Sequence, residues 1–199
     1  AAREAVGPES RLMVDAGGSD AHWNNGYKWA INTARMLADY DVQWFEEALV
    51  PDALEDYIKL REHSPVPISG GEVLTRRQAF QPWIERGAFD IVQPDVTKVG
   101  GISEERRIAW AAEEHGIRFI PHGWNTAVGL AADLHLAAAI PGTDLVEYLT
   151  GSPFIDEITD DDWKLDQDGM LAIPSGPGLG LTLDTDMLRK HTRGEPLLD

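Results

Sequence analysis

Short apolar runs that close on polar residues recur along the chain: RLMVDAGG, VQWFEEAL, VPISGGEV, FDIVQPDVT, IRFIPHGW and TDLVEYLT. Their length and their β-branched and aromatic content predict strands. Between them apolar positions recur at helical spacing over Tyr27 to Tyr40, Pro51 to His63, Thr75 to Gly87, Ser103 to Gly116 and Thr126 to Ala139,. Asp52 and Ser103 are candidate N-caps, and Gly87 and Gly116 are candidate C-terminal stops,. Regular alternation of strand and helix predicts a parallel α/β architecture.

The strand ends carry more information than the strands. Taking Asp15, Glu46, Glu72, Asp95, His122 and Glu147 as those ends, the gaps are 31, 26, 23, 27 and 25 residues, close to the roughly 31 residues of one unit in a (β/α) barrel. In such a barrel polar groups that finish successive strands converge on the C-terminal rim. A doubly wound sheet also alternates, but it usually carries a Gly-rich phosphate loop after its first strand. VDAGGSD has neither the G-x-G-x-x-G spacing nor the lysine of a P-loop,, so the barrel is preferred. After Leu149 the alternation stops, and GSPFIDEITDDDWKLDQDGMLAIPSGPGLGLTLD predicts short strands, turns and acidic patches. Its GPGLGL run reads as tight turns, since no helix pattern or lysine follows to make a phosphate cradle,.

Composition narrows the chemistry. With 199 residues, 43% of them hydrophobic, the chain can bury a sizeable core,. The formal charge of −17 repels nucleic acid phosphate and anionic lipid, so neither is an expected partner,. Such an excess also suits a salt-adapted protein or simply favours solubility. No run approaches the roughly 18 apolar residues of a membrane span, and AAREAVGPES lacks the order of a secretory signal,; a cytoplasmic location is expected. There is no cysteine, which removes disulfides, thiolate metal sites and a cysteine nucleophile together,.

Oxygen and imidazole ligands remain. Asp15, Glu46 and Glu72 at three consecutive strand ends suit a hard divalent cation, for which Mg²⁺ is the natural occupant,. Any one of them alone reads more simply as a cap or a surface charge; three in register shift the balance to ligands. Glu47 falls on the opposite face of the strand from Glu46 and reads as structural,. Asp95 precedes His122 by one strand, an arrangement in which a carboxylate fixes the tautomer and raises the basicity of an imidazole,. Glu147 ends the last strand of the run, where a protonated carboxyl could donate to a developing enediolate. His22, Trp23 and Asn24 lie in the loop after Asp15, and Trp124 and Asn125 follow His122; all are candidate substrate contacts,. His63, His115 and His135 fall on helices or their ends and read as structural.

Together these residues resemble the enolase superfamily, and within it the mandelate racemase subgroup. VDAGG, WFEEAL and SGGEV are similar to that family's three metal-ligand motifs, QPDVTKVGG and PHGWN to its Asp–His dyad, LVEYL to its electrophilic glutamate, and DGMLAIPSGPGLGL to its C-terminal signature. Lys98 matches a different position from the catalytic lysine of the muconate-lactonizing subgroup and receives no base role. Ala48 stands where the family usually has Pro. The resemblance places residues 1–150 as about strands 3 to 8 of the barrel and 151–199 as a segment packing on the barrel and returning to a capping domain. The N-terminal cap and the second-strand lysine motif are absent from this sequence.

The resemblance implies Mg²⁺-dependent removal of the proton α to a carboxylate, with Mg²⁺ on Asp15, Glu46 and Glu72, His122 as base, Asp95 orienting it and Glu147 as electrophile. Dehydration of an acid sugar to a 2-keto-3-deoxy acid is the first expectation, since it can run on one base. Racemisation or epimerisation of a 2-hydroxy acid needs a second base on the opposite face. A non-catalytic fragment or binding module, and a magnesium barrel outside the enolase group, are the competing classes. A small-molecule carboxylate substrate and homo-oligomeric assembly are the expected partners.

Overall fold

The structure is a computed structural model and describes residues 1–18, 26–161 and 163–194. The chain divides into two compact units, Ala1–Ile120 and Pro121–Asp199. In the first, helix α1 (Ala2–Val6) precedes β1 (Leu12–Asp15), α2 (Tyr27–Ala38), β2 (Val42–Glu46), α3 (Leu54–His63), β3 (Ile68–Gly70), α4 (Arg76–Glu85), β4 (Ile91–Val92), α5 (Val96–Val99), α6 (Ile102–Glu114) and β5 (Arg118–Phe119). The five strands form one parallel sheet in the order β1-β2-β3-β4-β5. Sequential order is the decisive observation, because a doubly wound sheet reverses its strand order at a switch point and a barrel does not.

The ladder continues past the strand ends. Ala16 N–H donates to Glu46 O, Glu47 N–H to Ser69 O, Gln93 N–H to Gly70 O and Ile120 N–H to Val92 O, at 2.9–3.2 Å. On one side of the sheet Phe45, Ile68 and Val42 pack with Ala30, Ile31, Ala34 and Leu37 of α2 and Tyr57 and Leu60 of α3. These helical positions recur at one face, as the sequence spacing requires. Tyr57, Trp83 and Phe89 form an aromatic cluster with ring centroids 5.0–5.4 Å apart.

Several boundaries differ from expectation. The N-caps of α3 and α6 are Ala53 and Gly101 rather than Asp52 and Ser103. Gly87 and Gly116 do end their helices, with φ of 64° and 68° that suit glycine,. The six expected strands are five: residues 144–149 have no strand, and Glu72, Asp95 and His122 lie two or more residues beyond β3, β4 and β5. Glu47 does not continue the strand alternation; its φ of 43° is left-handed, and its side chain is buried.

In the second unit α7 (Ala127–Ala139) is apolar nearly all round, which marks a helix covered on several sides. Ala127, Leu130, Ala131 and Leu134 pack with Ile155 of α8 (Pro153–Asp156), Ile158 and Trp163, flanked by Leu171, Leu179, Leu181 and, from α9 (Thr185–His191), Leu188. The expected short strands of this segment are isolated antiparallel bridges, Thr159 with Leu183 and Leu165 with Leu171. Among the described residues no helix is long and apolar enough to cross a membrane.

Candidate functional site

Asp15 and Glu46 are register partners at the ends of β1 and β2. Register partners project to the same face from strands about 4.8 Å apart, so these two carboxylates are neighbours. Glu46 in turn pairs with Ser69 on β3. Glu72 lies three residues beyond Ser69, so its chain has climbed past the level of the other two. Each carboxylate has a protein donor: Asp15 Oδ1 accepts from Gly17 N–H at 2.7 Å, Glu46 Oε2 from Trp44 Nε1–H at 3.1 Å, and Glu72 Oε1 stands 3.5 Å from Lys98 Nζ. Among the described residues no group of three or more His, Asp or Glu could hold a metal ion. The threefold gathering expected from the sequence is thus a neighbouring pair and a third carboxylate beside Lys98.

Asp95 was expected to end a strand. It instead caps α5, its Oδ1 accepting from Thr97 N–H at 2.8 Å and Thr97 Oγ1–H at 2.6 Å. Its Oδ2 is 3.5 Å from Lys98 Nζ, so one ammonium spans Glu72 and the fully buried Asp95. Gly100, in the left-handed region at φ 111°, then ends the short helix.

Two residues that the sequence reading passed over hold this rim. Trp44 stands two positions before Glu46, hence on the same strand face, and that period was the available signal,. Tyr57, buried on α3, donates its hydroxyl to Leu49 O at 2.8 Å and accepts from Leu49 N–H at 3.2 Å, pinning the loop that follows Glu46. Burial pushes the Tyr57 hydroxyl well above the ordinary tyrosine range; the Leu49 hydrogen bond opposes this, and the charges of Glu47, Asp15 and Glu46 reinforce it,. The tyrosine therefore feels a local concentration of negative charge.

In the second unit His122 is buried, and the next residue, Gly123, donates its N–H to Glu147 Oε2 at 2.8 Å. A Cβ at Gly123 would stand 2.2 Å from Glu147 O, so only glycine allows these two stretches to touch. Trp124 is 74% exposed and open to solvent contact. Asn125 turns inward, its Nδ2–H donating to Asp133 Oδ2 at 3.2 Å. His22, Trp23 and Asn24 lie outside the described residues. His63 and His115 meet the carbonyls of Lys59 and Ala111 through Nδ1, and His135 Nε2 meets Leu179 O, contacts of structural histidines.

A sequentially ordered parallel β/α sheet with carboxylates at its strand ends defines the class of barrel enzymes whose chemistry sits on the C-terminal rim,. The model of the family described as Enolase C-terminal domain-like matches residues 1–187, and the chain belongs to that family. It is 36% identical over 207 residues to the D-galactarolactone cycloisomerase of Agrobacterium fabrum, covering 98% of this chain and 53% of that protein. It is 35% identical over 202 residues to the D-xylonate dehydratase of Haloferax volcanii, covering 100% and 47%. The crystal structure of a mandelate racemase/muconate lactonizing enzyme from Sulfitobacter sp. superposes with a TM-score of 0.85 at 34% identity, covering 95% of this chain and 46% of the other. The chain spans about half the length of the curated relatives it matches.

Proposed function

We propose that the protein carrying this chain removes the proton α to a carboxylate of an acid sugar, and that loss of a β-hydroxyl then gives a 2-keto-3-deoxy acid. The observation that carries this reading is the registered pair Asp15 and Glu46 at the strand ends of an enolase-family chain. Relatives named for D-xylonate and D-galactarolactone point to acid sugars as the substrate class.

In chemistry the donors suit a hard divalent cation, since Asp15, Glu46 and Glu72 offer carboxylate oxygens and the chain has no thiol,; in arrangement only Asp15 and Glu46 are register partners, and Glu72 stands beside Lys98. Asp15 and Glu46, joined by Glu72 once it leaves Lys98, would hold Mg²⁺, which would supply Lewis-acid stabilisation of the negative charge that grows on the substrate carboxylate,. His122 is the base that takes the α-proton at its imidazole nitrogen and can return it to the leaving hydroxyl. By the family resemblance Asp95, whose carboxylate accepts from Thr97, would orient that imidazole, and Glu147, whose Oε2 accepts from Gly123 N–H, would act as hydrogen-bond donor to the developing charge if its other oxygen carries a proton.

The test is deuterium exchange at the α-carbon in D₂O, run with Mg²⁺ over a set of acid sugars and followed by detection of 2-keto products. His122→Asn should abolish exchange while calorimetry still records Mg²⁺ binding. Unchanged exchange in that variant removes His122 from the role, and wild-type protein with no response to Mg²⁺ removes the metal. The cycloisomerase relative favours an isomerase as the second reading; a product of unchanged mass, in place of one lighter by water, would select it.

A further inference from the structure

We propose that Asn125, Gly129 and Asp133 form a brace that fixes the loop carrying His122, and that Asn125 is a positioning residue rather than a substrate contact. The inference rests on the reading of His122 as the base.

Gly129 and Asp133 are spaced by four along one stripe of α7, and Asn125 stands four residues before Gly129, ahead of the helix,. Asn125 stands just before α7, and Asp133 lies two turns into it, only 1% exposed. To reach Asp133, the Asn125 side chain must fold back over the turn between them. That turn presents Gly129, where a Cβ would lie 2.5 Å from Asn125 Cγ, 2.6 Å from its Oδ1 and 2.7 Å from its Nδ2. Such separations are far inside van der Waals contact, and the whole amide plane would be displaced, so glycine opens the channel that the amide occupies. The same glycine weakens α7 as a helix, which suggests that the channel, not helix formation, accounts for its presence.

The bond from Asn125 to Asp133 closes one end of the segment, and the bond from Gly123 N–H to Glu147 closes the other. Residues 123–125 are thereby tied at two points, directly after His122. A misplacement of about 1 Å in a catalytic group costs on the order of 100-fold in rate, so loss of one tie should be read mainly in turnover.

The experiment uses Gly129→Ala, Asn125→Asp and the double variant Asn125→Asp/Asp133→Asn. The double variant reverses the polarity of the bond, with the amide at position 133 donating to the carboxylate at 125. Two readouts are taken: steady-state α-proton exchange, and the His122 ring signals in ¹H–¹³C spectra, assigned by their loss in His122→Asn. Gly129→Ala and Asn125→Asp should lower kcat roughly 10- to 100-fold with KM unchanged and shift or broaden the His122 signals, while the double variant restores both. Because alanine favours helix over glycine, a loss in Gly129→Ala cannot be assigned to a weakened α7. Wild-type kcat and unmoved His122 signals in Gly129→Ala would overturn the brace, as would a folded double variant that restores neither. Should the double variant fail to fold, Gly129→Ala decides alone. Should wild-type protein exchange no α-proton, the functional reading fails, and the ring signals still judge the brace.

Discussion

Replacing Tyr57 by phenylalanine tests how the rim after Glu46 is held. The ring stays in its aromatic cluster with Trp83 and Phe89, and only the hydroxyl is removed. Leu49 is almost fully buried, and both its N–H and its C=O use that hydroxyl. Leaving the hydrogen bond of a buried polar group unmade costs about 1–3 kcal/mol, so two such groups predict a loss of about 2–6 kcal/mol at neutral pH. Urea denaturation measures it. The pH dependence supplies an independent check, because Tyr57 ionises only well above its ordinary range in the folded protein. Its unfolded counterpart loses the proton near pH 10. Above that pH the native state binds more protons than the unfolded state, so stability falls as pH rises, at up to about 1.4 kcal/mol per unit from this one group. The phenylalanine ring of the variant has nothing to titrate. The gap between the two proteins should therefore be widest below pH 10 and narrow above it. A gap that stays constant from pH 8 to 11.5, or a neutral-pH loss below about 0.5 kcal/mol, would refute the argument.

Gly123→Ala should destabilise the second unit by at least about 2 kcal/mol, since overpacking against backbone cannot relax by a rotamer change,; differential scanning calorimetry will show it as a lowered Tm. On the surface, the hydrogen bond from Arg86 holds Glu55 below the ordinary carboxylate range, assisted by its charge and that of Lys59 and opposed by slight desolvation. A lowered folded pKa stabilises above the unfolded pKa, and that stabilisation is lost as pH falls through the folded one. Arg86→Ala should raise the Glu55 midpoint in a carboxyl NMR titration, and molar salt should shrink the difference between variant and wild type.

What the sequence made legible follows physical periodicity. The five helices predicted from apolar spacing are found within a few residues, because amphipathic stripes depend on local geometry that tertiary packing reinforces, as Ala30, Ile31, Ala34 and Leu37 show on α2,. The strand ends were legible where a ladder runs to the polar residue, at Asp15 and Glu46. They were not where the chain leaves the ladder earlier: Asp95 follows the apolar run of β4 but spends its carboxylate on capping α5. Alternation gave Glu47 an extended backbone that it lacks, since no period of two can announce a left-handed residue at a strand's exit. The place of Asn125 on a rim makes it a candidate substrate contact, whereas its bond to Asp133, two helical turns away, is not legible in the sequence.

Two glycines give the two units a common device. A Cβ at Gly18 would meet Glu47 O and Leu49 O at 2.2 Å, and one at Gly123 would meet Glu147 O at the same distance. Each glycine follows a candidate functional residue, Asp15 in one case and His122 in the other, and each lies against the backbone of the neighbouring rim segment, Gly18 N–H donating to Glu47 O and Gly123 N–H to the Glu147 carboxylate. A side chain at either position would force the crossing segments apart by about 1 Å, the shortfall between 2.2 Å and an ordinary contact,. The candidate groups carried by those segments, Glu46 in the first unit and Glu147 in the second, would move with them. Close backbone contact therefore sets where the carboxylates stand before any ligand arrives, and the tolerance for change at Gly18 and Gly123 should be lower than at the exposed Trp124, whose side chain bears on no such crossing,.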